Sequence, residues 1–448
     1  MAFGPITRQR LASTGRRRGI AQARTVLPPA AQLLAARRAE ETFSETLSSA
    51  KEASVTERAE LAPVGGGTSS PYSTSLALRV PAAPQASAAS TAALKAIFTA
   101  ALLPIPTKES NACAWPGVSC AANGAVVELY LTSTVSLDLL PPTPRLCNRT
   151  AREPGGKFPA ILSESIGQLT ELEELYMFNL WLAGSVPRSL SRLTKLETLD
   201  LDNNCFAGPL PVAFFRLPKI RVLIARQNFF SGQLPQRAAA YAAVGSLEIL
   251  DLGKNWLSGQ VPSALATLPK LLGLSLNTNA LSGIIPPALL ERDWWVLTLH
   301  RNKLFGDLSG LQIKAQMIIL SQNRLAGNFN TIQFSESLGF IDVSENLFSG
   351  SFPQILCRPN SPTIADFSRN RLTGAVPGNC FKPKNSLEEL LLSHNNFSGS
   401  LRPFSNLPKG IIHVDLGFNK FTGGIPQGLT TLPQLSYLDL GTNALTGN

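Results

Sequence analysis

Histidine is scarce in this 448-residue chain, with three copies in all, and no apolar run reaches the roughly eighteen residues a membrane helix needs. The first shortage argues against metal ligation and against a histidine-based triad, because His300, His394 and His413 sit on different copies of a repeat. The second excludes a helical membrane span within the sequence given. A phosphate-binding loop, a dinucleotide fingerprint and the kinase signatures are missing too, which removes the common nucleotide-dependent chemistries. Residues 1–39 contain no acid but eight arginines, from Arg8 to Arg38. Subtracting those eight charges from the net +10 leaves +2 for the remainder. The basic balance therefore belongs to a tail and does not mark a nucleic-acid binder.

That tail, residues 1–89, is rich in Ala, Ser, Arg and Pro and reads as disordered, with VGGGTSSPYSTS (64–75) as linker. A solvated helix over 30–61 is the most structure it offers. The stretch RRRGIAQARTVLPPA lacks the apolar segment of a secretory signal. An Arg- and Ser-rich start without acid is similar to an organelle transit peptide. A plain disordered tail or a misassigned start is the alternative.

What the chain has instead is one phrase written again and again. LEILDLGKNWLSGQVP (247–262) follows the pattern LxxLxLxxNxLxGxIP, whose Asn recurs at 204, 228, 255, 279, 302, 323, 346, 370, 395, 419 and 443, spaced 21 to 27 residues apart. A further copy at 172–187 has Leu180 in the Asn position. Each letter has a physical use. Alternating leucines point inward from a short strand while their neighbours point out. Asn turns the chain and bonds the main chain of the adjacent turn, so Leu180 should leave a gap in that ladder. Gly permits the bend, and Pro suits an extended outer segment that needs no ladder donor. One copy cannot bury its leucines alone, whereas stacked copies share a continuous core.

Over about residues 125–448 this pattern resembles the plant-type leucine-rich repeat. The resemblance implies an α/β solenoid, a right-handed superhelix of about twelve repeats of roughly 24 residues with a plant-type N-terminal cap. Residues 90–131 supply that cap and the first strand: a helix (STAALKAIFTAALL, 90–103), NACAWPGVSC (111–120) and GAVVELYL (124–131). Cys113, Trp115, Gly117, Val118 and Cys120 match the cap motif, although the Trp often found before the first Cys is missing. A Cys113–Cys120 disulfide is what the resemblance implies. A zinc site would need further ligands that the neighbouring sequence does not supply.

Residues 132–168 read as an irregular insertion and a degenerate repeat, and 169–448 as repeats without a C-terminal cap. Stopping at LGTNALTGN, mid-repeat, the sequence reads as a fragment, or as one whose last turn is covered by something else. Cys357 and Cys380 are one period apart, which brings them beside each other; a disulfide or two reduced core thiols would both fit. Cys147 lies in the insertion. Cys205 follows a ladder Asn, in an apolar row with Trp181, Phe229 and Trp256. The insertion is expected to fold over this row with Cys147 bonding Cys205. An exposed patch for a partner, or local packing with free thiols, are the other readings. The cysteines, with glycosylation sequons at Asn148 and Asn396, point to an oxidising compartment.

Asp200, Asp251, Asp342, Asp366, Asp415 and Asp439 share the outward slot between strand leucines, and Asp342/Asp366 and Asp415/Asp439 fall on adjacent strands. Paired carboxylates can serve acid–base chemistry. Because L-D-L is habitual strand text of the family, a structural role is favoured, and neither catalysis, a cofactor nor a metal is expected. The varied outward positions, on the concave face the fold implies, are the candidate ligand surface. Tyr176, Phe178, Arg226, Lys254, Arg301, Arg369 and Phe418 are its anchors, with Trp256 on the flank. The resemblance implies non-catalytic recognition of a peptide or protein ligand, with a co-receptor as a further partner. The chain would be the ectodomain part of a receptor-like protein or receptor kinase, extracellular or at the cell surface. Any membrane attachment would come through a missing C-terminal segment. A secreted polygalacturonase-inhibitor-like protein and an intracellular scaffold in plastid or cytosol are the alternatives.

Overall fold

The computed structural model describes residues 84–106, 109–132, 147, 160–381 and 385–446. Residues 1–83 of the tail and residues 133–146 and 148–159 of the insertion lie outside these residues, as does the helix considered over 30–61. The last residues of the expected disordered tail, 84–89, are described and lead into a helix.

The described chain begins with a helix, α1 (Ala88–Ala100), capped by the Ser87 hydroxyl, which accepts from the Ser90 amide at 3.0 Å. Its Ala93, Leu94, Ile97 and Phe98 recur at helical spacing and are buried. Phe98 meets the edge of Trp115 at 5.3 Å, and the Trp115 indole donates to the Glu109 carbonyl at 3.0 Å. Cys113 is bonded to Cys120. Gly117 takes φ +77°, and a β-carbon there would stand 2.0 Å from the Tyr130 carbonyl oxygen, so only glycine lets the two cap strands close. Those strands, β1 (Val118–Cys120) and β2 (Val126–Thr132), run antiparallel.

From β2 onward each strand of the first sheet lies parallel to its predecessor. Glu128, Tyr130 and Thr132 of β2 face Glu174, Tyr176 and Phe178 of β3 (Glu174–Phe178), and the sheet runs on to 14 strands, ending at Tyr437–Asp439. The inward leucines form the core. In the copy at 247–262, Leu247, Leu250, Leu252, Leu257 and Val261 are all buried.

After each ladder Asn, and after Leu180 in the same position, the chain forms a second strand, and these 12 pair into a second sheet. Cys205–Pro209, Phe229–Gln233 and Trp256–Gly259 are three of them. This departs from the extended, unladdered outer segment expected from Pro and Gly. The pairing partners sit one turn away, so a single copy carries no sign of them, and the proline falls just beyond the paired residues. Short 3₁₀ segments such as Ser263–Thr267 close most turns.

The asparagines do what their position demands. Asn228 accepts from the Phe206 amide at 3.0 Å and donates to the Leu201 carbonyl at 2.9 Å, both on the preceding turn. Asn255, Asn279, Asn302 and their successors repeat these two bonds down to Asn443. Leu180 is buried and offers no such bonds from its side chain. Asn204 therefore accepts from two amides at once, Leu180 at 3.2 Å and Leu182 at 3.1 Å. The residue just before each ladder position stands in the left-handed region, from Asn179 at φ +59° to Thr442 at +53°. The sharp exit from the strand imposes that conformation on whichever residue occupies the slot.

Three disulfides are present: Cys113–Cys120, Cys147–Cys205 and Cys357–Cys380. The second attaches the insertion to the turn after Asn204, between Trp181 and Phe229 in the apolar row. Cys205 itself is buried and Phe229 half-buried, whereas Trp256 is 54% exposed and meets Phe229 edge-on at 5.1 Å. The row is therefore graded from buried to open.

Candidate functional site

The outward face of the first sheet starts with an aromatic group. Tyr130 on β2 is 43% exposed and contacts Tyr176 at 5.6 Å and Phe178 at 5.4 Å between ring centroids. Phe178 is half-buried. Tyr176 is 6% exposed, which corrects its expected place on the open surface. The neighbouring ring of Tyr130 lies against it, and its hydroxyl donates to Glu174 at 2.7 Å. Burial and that carboxylate push its pKa well above the usual phenol value. Tyr130 is the open ring of the group. It belongs to the cap strand, so an alignment of repeats alone passes over it.

The next turns carry a buried charge cluster. Arg226, expected as an exposed anchor, is 6% exposed and pairs with Asp202 at 3.8 Å. Asp200 and Asp251 are buried alongside. Burial pushes the Asp202 carboxyl up to about 7 despite the opposing Arg226 charge, and raises Asp251 as well. His300 is buried too. Asn277 Nδ2 donates to its Nε2 at 3.2 Å, and burial with the charges of Lys254 and Arg226 lowers its pKa to about 4, so the ring is neutral at pH 7. An outward slot fixes direction, not depth. Strands about 4.8 Å apart let neighbouring side chains cover a polar group that points away from the core.

The strand aspartates have a shared structural use. Asp200, Asp251, Asp342, Asp366, Asp415 and Asp439 each accept from the backbone amide two residues on, at 2.7 to 3.1 Å, at the point where the chain leaves the strand. Asp342 and Asp366 are also register partners across adjacent strands. Burial, then the Asp342 charge, pushes Asp366 up to about 7. Because its folded value lies above its unfolded one, the folded chain holds a proton that the unfolded chain releases. That contribution is complete near pH 4 and is lost as pH rises through about 7. Asp366→Asn keeps the acceptor without the charge. It is expected to raise stability by roughly 1–2 kcal/mol near pH 8 and to change it little near pH 4, measured by urea unfolding at both pH values.

The best-displayed side chains are those just before the ladder Asn. Lys254 is half-buried, and Arg301, Arg369 and Phe418 are exposed, at φ +50°, +52°, +53° and +54° respectively. Arg301 Nε donates to Gln322 Oε1 at 2.6 Å. Phe418 is 49% exposed and stacks on His394 with centroids 4.1 Å apart. Tyr437, also open, contacts His413 at 4.4 Å. His394 and Tyr437 were not among the expected anchors. The sign that could have found them is that they share columns with Phe418 and His413. Trp256 faces a different way, at the head of a second-sheet strand, and is not part of this surface. Among the described residues no group of three metal-ligating side chains gathers, and no helix is long and apolar enough to cross a membrane.

The family profile described as Leucine Rich Repeat matches residues 195–217, 246–268 and 386–407. Receptor-like protein 39 of Arabidopsis thaliana is 35% identical over 201 residues, covering 43% of this chain and 22% of that protein. The chain carries leucine-rich repeats and has the leucine-rich-repeat fold. Receptor-like protein 14 of Arabidopsis thaliana is 33% identical over 203 residues, covering 42% of this chain and 20% of that protein. The chain thus spans about a fifth of the length of these relatives. The crystal structure of PEPR1–AtPEP1 shares the fold at a TM-score of 0.51, with 24% identity over 80% of this chain and 55% of that one. In this leucine-rich-repeat protein the repeated letters build the ladder and core. Chemical variety lies in the outward slots and in the residues before and after each Asn.

Proposed function

We propose that this leucine-rich-repeat protein is a non-catalytic recognition module that binds an extended peptide or a protein on the outward face of its first sheet. It would serve as the ectodomain part of a receptor-like protein, outside the cell or at its surface. The observation that carries this reading is the column of left-handed residues. Each turn holds one side chain in a fixed backbone geometry. From Lys254 to Phe418 the column reads Lys254, Thr278, Arg301, Gln322, Glu345, Arg369, His394 and Phe418, basic and polar groups with one acid giving way to two aromatic rings. A rigid platform that varies only at its displayed positions is suited to reading a ligand along its length. The similarity to proteins named receptor-like supports it. Three disulfides favour an oxidising compartment over an intracellular scaffold. Asn396, exposed at the head of a second-sheet strand, is accessible for a glycan, while Asn148 lies outside the described residues.

The test is selection of a displayed library of random linear peptides on the purified full chain. Binding of the enriched peptides is then compared across variants. Arg369→Glu combined with Phe418→Ala should weaken them by about tenfold or more, and Lys270→Glu, on an exposed turn behind the sheet, should not. Enriched peptides that bind the first-sheet variant as tightly as the unsubstituted chain would overturn the reading.

A further inference from the structure

Charge is divided between the two sheets. The first-sheet strands contain nine carboxylates and neither lysine nor arginine. The second-sheet strands contain Lys303, Arg324, Arg371 and Lys420 against a single acid, Asp307. All four cations are exposed, and among the described residues none has an ion-pair partner. Asp307 is already engaged, accepting from the Ser309 amide at 2.7 Å.

Three of these cations, Lys303, Arg324 and Arg371, flank an open apolar area, and Lys420 lies two strands beyond Arg371. Ile284, Phe305 and Leu347 are 56%, 51% and 38% exposed. Strand register brings them together. Gly283 pairs with Leu304, and the Ile284 side chain lies over Gly306, beside Phe305. Phe305 pairs with Arg324, Ala326 with Leu347, and Ser349 with Arg371. Neighbouring strands are about 4.8 Å apart, so Ile284 and Phe305 lie side by side, and Leu347 stands two strands from Phe305 in the row of Asp307 and Ala326, all on paired backbone. Ordinary solvated surface does not account for three large apolar side chains grouped on one sheet. A pure polyanion would use the cations and gain nothing from Phe305 or Leu347. An acidic protein surface carrying apolar side chains would use both.

We infer that the outer face of the second sheet, from Lys303 to Arg371, docks an acidic protein partner that seats apolar side chains on Ile284, Phe305 and Leu347. This surface is separate from the first-sheet face, so a ligand on one leaves the other open.

The test uses the full chain with two probes: a random copolymer of glutamate and tyrosine, and a glutamate homopolymer. Two double variants are compared with the unsubstituted chain, Arg324→Glu/Arg371→Glu and Phe305→Ser/Leu347→Ser, so binding to the arginine-rich tail cancels. All changed side chains are exposed, and circular dichroism with a thermal melt checks each fold. The copolymer should bind more tightly than the homopolymer, and each double variant should weaken it by about tenfold. The loss in the arginine variant should shrink at high salt. Equal affinity for both polymers with no effect of Phe305→Ser/Leu347→Ser would show simple ion exchange and overturn the inference. So would copolymer binding that survives both variants. Sedimentation of the unsubstituted chain covers the remaining occupant: self-association abolished by either variant would mean that a second copy takes this face, and the inference would fail.

Discussion

Asn228→Ala is expected to lower the unfolding free energy by about 2–4 kcal/mol, measured by urea unfolding followed by far-ultraviolet circular dichroism. The Asn228 side chain is buried, accepts from the Phe206 amide, and donates to the Leu201 and Arg226 carbonyls at 2.9 and 3.0 Å. Alanine leaves the Phe206 amide buried without a partner, at roughly 1–3 kcal/mol, takes one of two donors from the Leu201 carbonyl, which keeps Asn204 Nδ2 at 3.1 Å, and leaves a small void. Leu180 does not contradict this. A ladder bond from its position would run to the preceding turn, where the insertion breaks the repeat pattern, whereas Asn228 has a regular turn before it. The Phe206 amide goes to Asn228 alone among the bonds described. A cost under about 1 kcal/mol would mean that water or backbone adjustment replaces the ladder bond.

Removing the Cys147–Cys205 bond by a paired change to serine should cost about 4 kcal/mol, the largest effect among the three disulfides. The bond closes a loop of 58 residues, against 23 for Cys357–Cys380 and 7 for Cys113–Cys120. Loop-closure entropy grows with the logarithm of these lengths, giving roughly 4, 3 and 2 kcal/mol in that order. The bond also ties Cys147 of the insertion to the second-sheet strand that begins at Cys205. Its loss should therefore raise proteolytic cleavage between 133 and 159 before the repeats themselves unfold. Denaturant unfolding and limited proteolysis of the paired variant check both parts. Unchanged cleavage would show that the insertion is held by contacts other than the bond.

The core of this fold was readable because its letters are local. Leu250, Leu252, Asn255 and Leu257 each announce their role by position within one copy. The second sheet was not readable, because Trp256 pairs with Ser231 and Ser258 with Ala280, and neither partner belongs to the same copy. Only the stacking creates those bonds. The candidate surface was readable in direction but not in depth. Phe418 and Arg369 project as the alternation predicts, whereas Tyr176 lies against Tyr130 and Arg226 is enclosed with Asp202 and Asp251. Alternation tells which way a side chain leaves the strand. It does not report how large the neighbours across the sheet are, and those neighbours decide what water reaches. Tyr130 escaped because it comes from the cap strand, which lacks the repeat pattern yet continues the same sheet.

The claim that the peptide ligand binds on the first-sheet face is tested most directly by photo-cross-linking. A peptide selected on the full chain would carry a benzophenone side chain at each position in turn, and the attachment sites would be mapped by mass spectrometry. The account predicts attachment along the column that includes Lys254, Arg301, Arg369 and Phe418. Attachment confined to the 3₁₀ segments or to the second sheet would contradict it.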